Sequence, residues 1–267
     1  EEMDPDMPYA YHEHGYLEDL EKLDKKSLEE YYHKMISSSL VDIYVIGNFD
    51  EEEMLGLMKE KMVFETFKRP KVSQLILHEK LPRRSKIRKE ETDGNQSKLS
   101  IGCKIGDLTE FERNYVLSIY NMILGSGSES KFFRIIREKY SMAYYVYSSL
   151  NKLDSLMLIR AGISKSNFDR VVKLIKKEMK EMEEGDFKDE DIVIAKNNYL
   201  TLLKEIEDNE NAIIETYLAK DLLNLGDIEE RKQMIEKVTK EDIIKVAKKV
   251  KIDTIFLLEG NKEDEGN

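Results

Sequence analysis

The chain has 267 residues, 40% hydrophobic and 36% charged, which is material for one large domain or two small ones with a substantial core. A net charge of −11 argues against non-specific nucleic-acid binding, which needs a basic footprint, and no apolar run is long enough to span a membrane. The lone Cys103 excludes an internal disulfide and fits a reducing compartment, so a cytoplasmic location is expected.

The opening EEMDPDMPYA has neither the basic nor the apolar region of a signal peptide, and residues 1–23 read as an acidic, proline-containing linker arm. LDKKSLEEYYHKM reads as a helix with Asp24 or Ser27 as its cap. VDIYVIGN reads as a strand ending near Gly47, and DEEEMLGLMKEKM as a helix whose early acids suit an N-terminus. Residues 68–97 carry a loop and a strand, KIRKEET, followed by the strand KLSIGCKIG. In TEFERNYVLSIYNMIL, Phe111, Tyr115, Ile119 and Met122 or Ile123 recur at the helical period. SKFFRIIREKY is a shorter helix. AYYVYSSLN and LMLIRAGIS are strands joined by the hairpin turn KLDS.

The remainder is mainly helical. Ser166 with Asp169 suggests a capping box, Phe168, Val172, Ile175, Met179 and Met182 form one face, and Gly185 marks the stop. Two helices are expected near 189–207 and 209–225, ended by Gly226, and IEERKQMIEKV gives another. Thr239 and Asp242 cap a last helix before the strand IDTIFLLEG, and the acidic tail 261–267 is expected to fray. The whole reads as α+β, a mixed or antiparallel sheet backed by helices, with residues 24–260 as one domain.

The richest stretch for chemistry is LGSGSESKFFRIIREKYSMAYYVYSS, residues 124–149. A phosphate-binding loop G-x-x-x-x-G-K-[ST] counted from Gly125 puts Ser130 at the second glycine and Phe132 at the magnesium-binding hydroxyl, and Glu129 would repel phosphate. The dinucleotide pattern G-x-G-x-x-G fails at Ser130 as well. Metal ligation fares no better. Neither H-E-x-x-H nor H-x-x-E-H occurs among His12, His14, His33 and His78, and His12-Glu13-His14 has the wrong spacing for one helical face. Cys103 sits in a strand-like run that suits a buried, inert thiol. Arg137 and Tyr144, seven residues apart, remain. A permanent cation and a phenolic donor could together stabilise an oxyanion on a peptide carbonyl, although from the residues alone an Arg favoured by a helix C-terminus and a Tyr packing in a sheet are the better explanation.

Leu124, Gly125, Gly127, Ser130, Phe133, Arg137, Glu138, Lys139, Ala143, Tyr144, Val146 and Tyr147 follow in order the pattern L-G-G-G-x-x-S-R-L-F-x-x-x-R-E-x-x-G-L-A-Y-x-V-Y, which resembles the pitrilysin/insulinase family of inverzincin metallopeptidases, relatives of mitochondrial processing peptidase. Ser126, Lys131 and Ser141 depart from it, standing where a Gly, an Arg and a Gly are usual. DEDIVIAKNNYL and IEKVTKEDIIKVAKKV resemble two further family helices, and LEEYYHKMISSSLVDIYVIGNFDEEEM the opening of its second domain. The resemblance implies the processing-peptidase-like fold and a clam-shell chamber for peptides or unfolded polypeptide, built by two halves in a homo- or heterodimer. It also implies zinc on a separate domain or partner subunit, with Arg137 and Tyr144 assisting there and binding no metal. This chain carries no H-x-x-E-H of its own, so an inactive isolated chain is expected. Two parents fit: a metal-free bacterial-type subunit, which the arm PYAYHEHGYLEDLEKL resembles, or a catalytic subunit with its zinc domain elsewhere. A structural or assembly subunit that kept the fold without turnover is the alternative function.

Overall fold

In the computed structural model, residues 2–3, 5–39, 41–62 and 80–260 are described. Five strands form one mixed sheet: β1 (Lys86–Thr92), β2 (Ser97–Ile105), β3 (Ala143–Asn151), β4 (Leu156–Ile163) and β5 (Val250–Gly260), in the order β1-β5-β2-β4-β3. β1 runs parallel to β5 and the other pairs are antiparallel, so the expected α+β class with a mixed sheet holds. β3 and β4 form the hairpin expected around KLDS, with Asn151 paired to Leu156 and Ser155 at a φ of 54°. β3 is a sheet edge.

Alternation divides the sheet into two faces. Leu99, Ile101, Cys103 and Ile105 of β2, with Met157, Ile159, Ala161 and Ile163 of β4, are buried beneath the helices. The other face carries Ser100, Gly102, Leu158, Thr254 and Phe256, and the arm crosses it. There Met3 occupies the space that a Cβ on residue 102 would need, and Ala10 is buried. Between arm and sheet lies a cavity of about 440 Å³.

The α-helices of eight residues or more among the described residues, in chain order, are α1 (Lys25–Ser38), α2 (Glu51–Lys61), α3 (Leu117–Leu124), α4 (Phe168–Glu184), α5 (Asp189–Glu205), α6 (Glu210–Leu223), α7 (Ile228–Glu236) and α8 (Lys240–Lys249). α4 buries Phe168, Val171, Val172, Ile175, Met179 and Met182, the stripe expected from its period plus Val171. Each such side chain contributes roughly 1.5–3 kcal/mol of transfer free energy. Ile119 and Leu124 of α3 and Ile243 and Val246 of α8 join the same cluster.

Local signals explain most boundaries. Asp24 and Ser27 act together, Asp24 Oδ1 accepting from the Ser27 N–H at 2.7 Å and Ser27 Oγ from the Asp24 N–H at 3.2 Å. Thr239 and Asp242 form the same reciprocal cap on α8. Gly185 ends α4 at a φ of 78°. Three expectations need correction. Ser166 does not cap α4, because a tight 3₁₀ turn, Lys165–Asn167, precedes it and Asn167 takes the cap position. Asn224, at a φ of 54°, ends α6 before Gly226 is reached, since Asn tolerates the left-handed region. VDIYVIGN joins no strand ladder among the described residues, although its sequence alternates. The expectations for residues 68–79, His78 and the tail 261–267 lie outside the described residues.

Candidate functional site

The stretch from Leu124 to Asn151 is built as a clamp around its glycines. Gly125 follows α3, and its N–H donates to the Asn121 carbonyl at 2.8 Å. Its own carbonyl accepts from the Ser148 N–H at 2.8 Å, while Ser148 Oγ donates to Asn121 Oδ1 at 2.6 Å. A Cβ at Gly125 would strike Ser148 and the Phe132 ring, so the absence of a side chain lets the turn seat on β3. Gly127 takes a φ of 99°, and the buried Ser130 donates from Oγ to the Gly127 carbonyl at 2.7 Å. The glycines thus turn one helix into the next, and Ser130 is spent holding that turn.

The basic residues after the turn divide by burial. Lys131 is buried, with Nζ 3.0 Å from Glu178 and 2.8 Å from Glu181 on α4. Burial opposes its charge, but hydrogen bonds with Glu181 and Glu178 outweigh that and raise its pKa. Glu178, among the apolar residues of α4, has its pKa raised by burial against the pull of Lys131. Arg134 pairs with Asp191 of α5 at 2.7 Å. Arg137, by contrast, is exposed, its guanidinium 5.0 Å above the Phe133 ring.

Two backbone irregularities aim the remaining side chains. Phe133–Lys139 is wound as a π-helix, which rotates the last turn relative to an α-helix, and such widenings concentrate at functional sites. β3 carries a bulge between Ala143 and Tyr145. Tyr144 occupies that bulge at the sheet edge and is 54% exposed; bulges of this kind re-aim a side chain away from the ladder. Between the two irregularities, Ser141 sits at a φ of 49°, and its N–H donates to the Arg137 carbonyl at 3.0 Å. Arg137 and Tyr144 therefore stand exposed on either side of one tight turn, followed by Tyr145 and Tyr147 with ring centroids 6.0 Å apart. The left-handed backbone at Ser141 gives a reason for glycine at this position. Ser141→Gly is expected to stabilise the domain by about 0.5–1 kcal/mol, read as a rise in the urea midpoint at constant slope.

Other candidate groups are accounted for by their surroundings. Cys103 is fully buried, and burial, with Asp253 adding to it, pushes its thiol pKa far up. Native protein is expected to leave a thiol reagent unreacted until denaturant is added; rapid native labelling would contradict the burial. His12 and His14 are exposed, with ring centroids 5.6 Å apart, and His14 approaches Glu13 at 3.3 Å. No group of three His, Cys, Asp or Glu side chains among the described residues could hold a metal ion. Sequence reading missed the Lys131–Glu178–Glu181 cluster. The available signal was Glu178 itself, a charge on the stripe set by Ile175, Met179 and Met182. It also missed Lys152, whose Nζ donates to the Asn114 carbonyl at 2.7 Å and to Ser118 Oγ at 2.8 Å. Burial, with Arg231 and Arg113 nearby, pushes the Lys152 pKa down to about 7.

The helix-backed mixed sheet sets the class of fold, and the comparisons set the family. The family model described as the peptidase M16 inactive domain matches residues 22–199, and the chain belongs to that family. A Bacillus subtilis protein described as a probable inactive metalloprotease, YmfF, is 30% identical over 264 residues, covering 98% of this chain and 61% of that protein. An uncharacterised zinc protease of Mycobacterium leprae is 24% identical, covering 86% of this chain and 52% of its own length. Among solved structures, a conserved protein from Enterococcus faecalis superposes with a TM-score of 0.83 at 28% identity, covering 94% of this chain and 59% of the other. The chain spans about half to three-fifths of the length of these relatives. No helix among the described residues is long and apolar enough to cross a membrane.

Proposed function

We propose that this chain is the metal-free C-terminal domain of a zinc-peptidase-family protein, forms part of the wall of a peptide-binding chamber, and supplies Arg137 and Tyr144 to a reaction centred on another domain or subunit. The observation that carries this reading is the presentation of both side chains. The π-helical turn and the β-bulge leave them exposed on either side of one tight turn, whereas Lys131 and Arg134 are taken up by ion pairs. In the chamber, the guanidinium and the phenolic O–H would donate to a scissile carbonyl as its oxygen gains charge, a contact that strengthens in the transition state. The described residues do not fit a zinc ion, and no step at the metal is assigned to them.

On this reading the isolated 267-residue chain leaves peptides uncut with added zinc. Robust cleavage abolished by a chelator would overturn it. A second reading, a structural or assembly subunit without turnover, draws support from the inactive status in the description of the Bacillus relative.

A further inference from the structure

A cavity of about 210 Å³ opens between α3, α5 and α7, beside the hairpin end of β3. Met122 of α3, Leu150 of β3 and Leu202 of α5 give it an apolar wall, and Ser118, Tyr199 and Arg231 give it a polar one. The polar wall carries donors that the domain itself does not satisfy. A guanidinium has five N–H donors, and that of Arg231 makes one hydrogen bond among the described residues, from Nη2 to Tyr199 Oη at 3.2 Å. Arg231 Nε is buried with no hydrogen-bond partner, a costly arrangement that calls for an explanation. Tyr199 is buried too. Having accepted from Arg231, its hydroxyl makes no second hydrogen bond among the described residues, so its O–H is left to donate. A second cation stands behind Ser118. Lys152 Nζ donates to Ser118 Oγ and to the Asn114 carbonyl, both of them neutral. Neither Lys152 nor Arg231 forms an ion pair with a carboxylate among the described residues. Burial and the nearby charges of Arg231 and Arg113 already disfavour the Lys152 ammonium, and an anion between these cations would relieve that repulsion.

Charge sets the sign of the ligand, and size and lining set the rest. The volume lies below the roughly 300–1,000 Å³ of pockets for drug-sized molecules, so a nucleotide does not fit. An inorganic phosphate would press its charge against Met122 and Leu202. An amino acid with an unblocked amine would bring its own ammonium towards Arg231 and Lys152. One carboxylate on a short branched aliphatic body, with no amine beside it, matches both walls. We propose that this cavity binds a small aliphatic carboxylate, its oxygens held by the Arg231 guanidinium and the Tyr199 O–H and its carbon body by Met122, Leu150 and Leu202. Two sources share that chemistry: the apolar C-terminal residue of a polypeptide, and a free branched-chain acid. Leu150 stands six residues along β3 from Tyr144, about 20 Å at the rise of a strand. The site is therefore separate from the Arg137 and Tyr144 pair, and the inference does not rest on their role.

Calorimetric titration of the full 267-residue chain with N-acetyl-leucine, which mimics a chain end, and with 4-methylpentanoate, a free acid, tests the assignment. At least one of them should bind with a Kd below about 5 mM. The matching amides, N-acetyl-leucinamide and 4-methylpentanamide, keep the shape without the charge and should bind at least about 10-fold more weakly. Arg231→Gln should weaken binding of the acid by about 10–100-fold, with folding checked by its thermal melt. Tighter binding of N-acetyl-leucine assigns the chain end and tighter binding of 4-methylpentanoate the free acid, and either result supports the site. Kd values above about 5 mM for both acids overturn it. So does equal binding of acid and amide, a comparison that needs no variant and holds even if Arg231→Gln does not fold. A folded Arg231→Gln that binds the acid as the parent does overturns it equally.

Discussion

Lys131→Met is expected to destabilise the domain by about 3–5 kcal/mol, because it strands the buried carboxylate of Glu178 on the apolar face of α4. Lys131→Arg should keep most of the stability, since a guanidinium can hold both Glu178 and Glu181. The pH dependence separates this cause from a simple loss of packing. Glu178 has a raised pKa in the fold, so its ionised form carries a penalty at neutral pH that is relieved as pH falls through that raised value. Removing Lys131 enlarges the penalty, and the gap in stability between Lys131→Met and the parent should narrow from pH 7 to pH 5. Glu181 acts in the opposite sense. Burial opposes its charge, but hydrogen bonds from Lys131 and Lys177 depress its pKa to about 2, so its contribution is present above the unfolded value and is lost only as pH falls towards 2. Urea titrations of the three proteins at both pH values measure the effect. A cost below about 1 kcal/mol, or a gap that does not change with pH, would show that Glu178 is not held as a buried anion.

Arg137→Ala and Tyr144→Phe are expected to lower kcat of an assembled, zinc-loaded peptidase by on the order of 10²–10³-fold each, the range for losing one donor to a developing oxyanion. Both side chains are exposed, so the melting temperature should stay within about 1–2 °C of the parent. The two losses should fall short of additive if both groups contact the same oxygen. Arg137→Lys separates positioning from charge. A point cation should recover part of the rate, but it lacks the planar donor pair and its stacking on Phe133. Unchanged turnover in both variants, with the fold intact, would favour the assembly-subunit reading.

Most of the fold was legible because its signals are local. The Asp24–Ser27 and Thr239–Asp242 caps, the alternation of Leu99, Ile101 and Cys103, and the stripe from Phe168 to Met182 each depend on neighbours only a few residues away. Ser166 and Gly226 misled because the same residue types serve adjacent turns, and backbone geometry alone decides which one ends or begins the helix. Arg137 and Tyr144 were nameable from the ordered motif, but their exposure was not. It follows from a π-helical winding and a bulge that depend on how the segment meets β4 and the rest of the domain.

By itself, then, the sequence determined the α+β class, most of the helix caps and the apolar faces, which rest on short-range chemistry, whereas the candidate pair Arg137 and Tyr144 came from the resemblance of an ordered motif. Only the tertiary structure decided that Lys131 is spent on carboxylates some fifty positions away, and that the glycines near it close a turn against Ser148. It also decided that the alternating run from Ile43 to Ile46 joins no ladder among the described residues. Ion pairing, close backbone approach and strand pairing all depend on which distant segments fold back to meet, and no local pattern encodes that meeting.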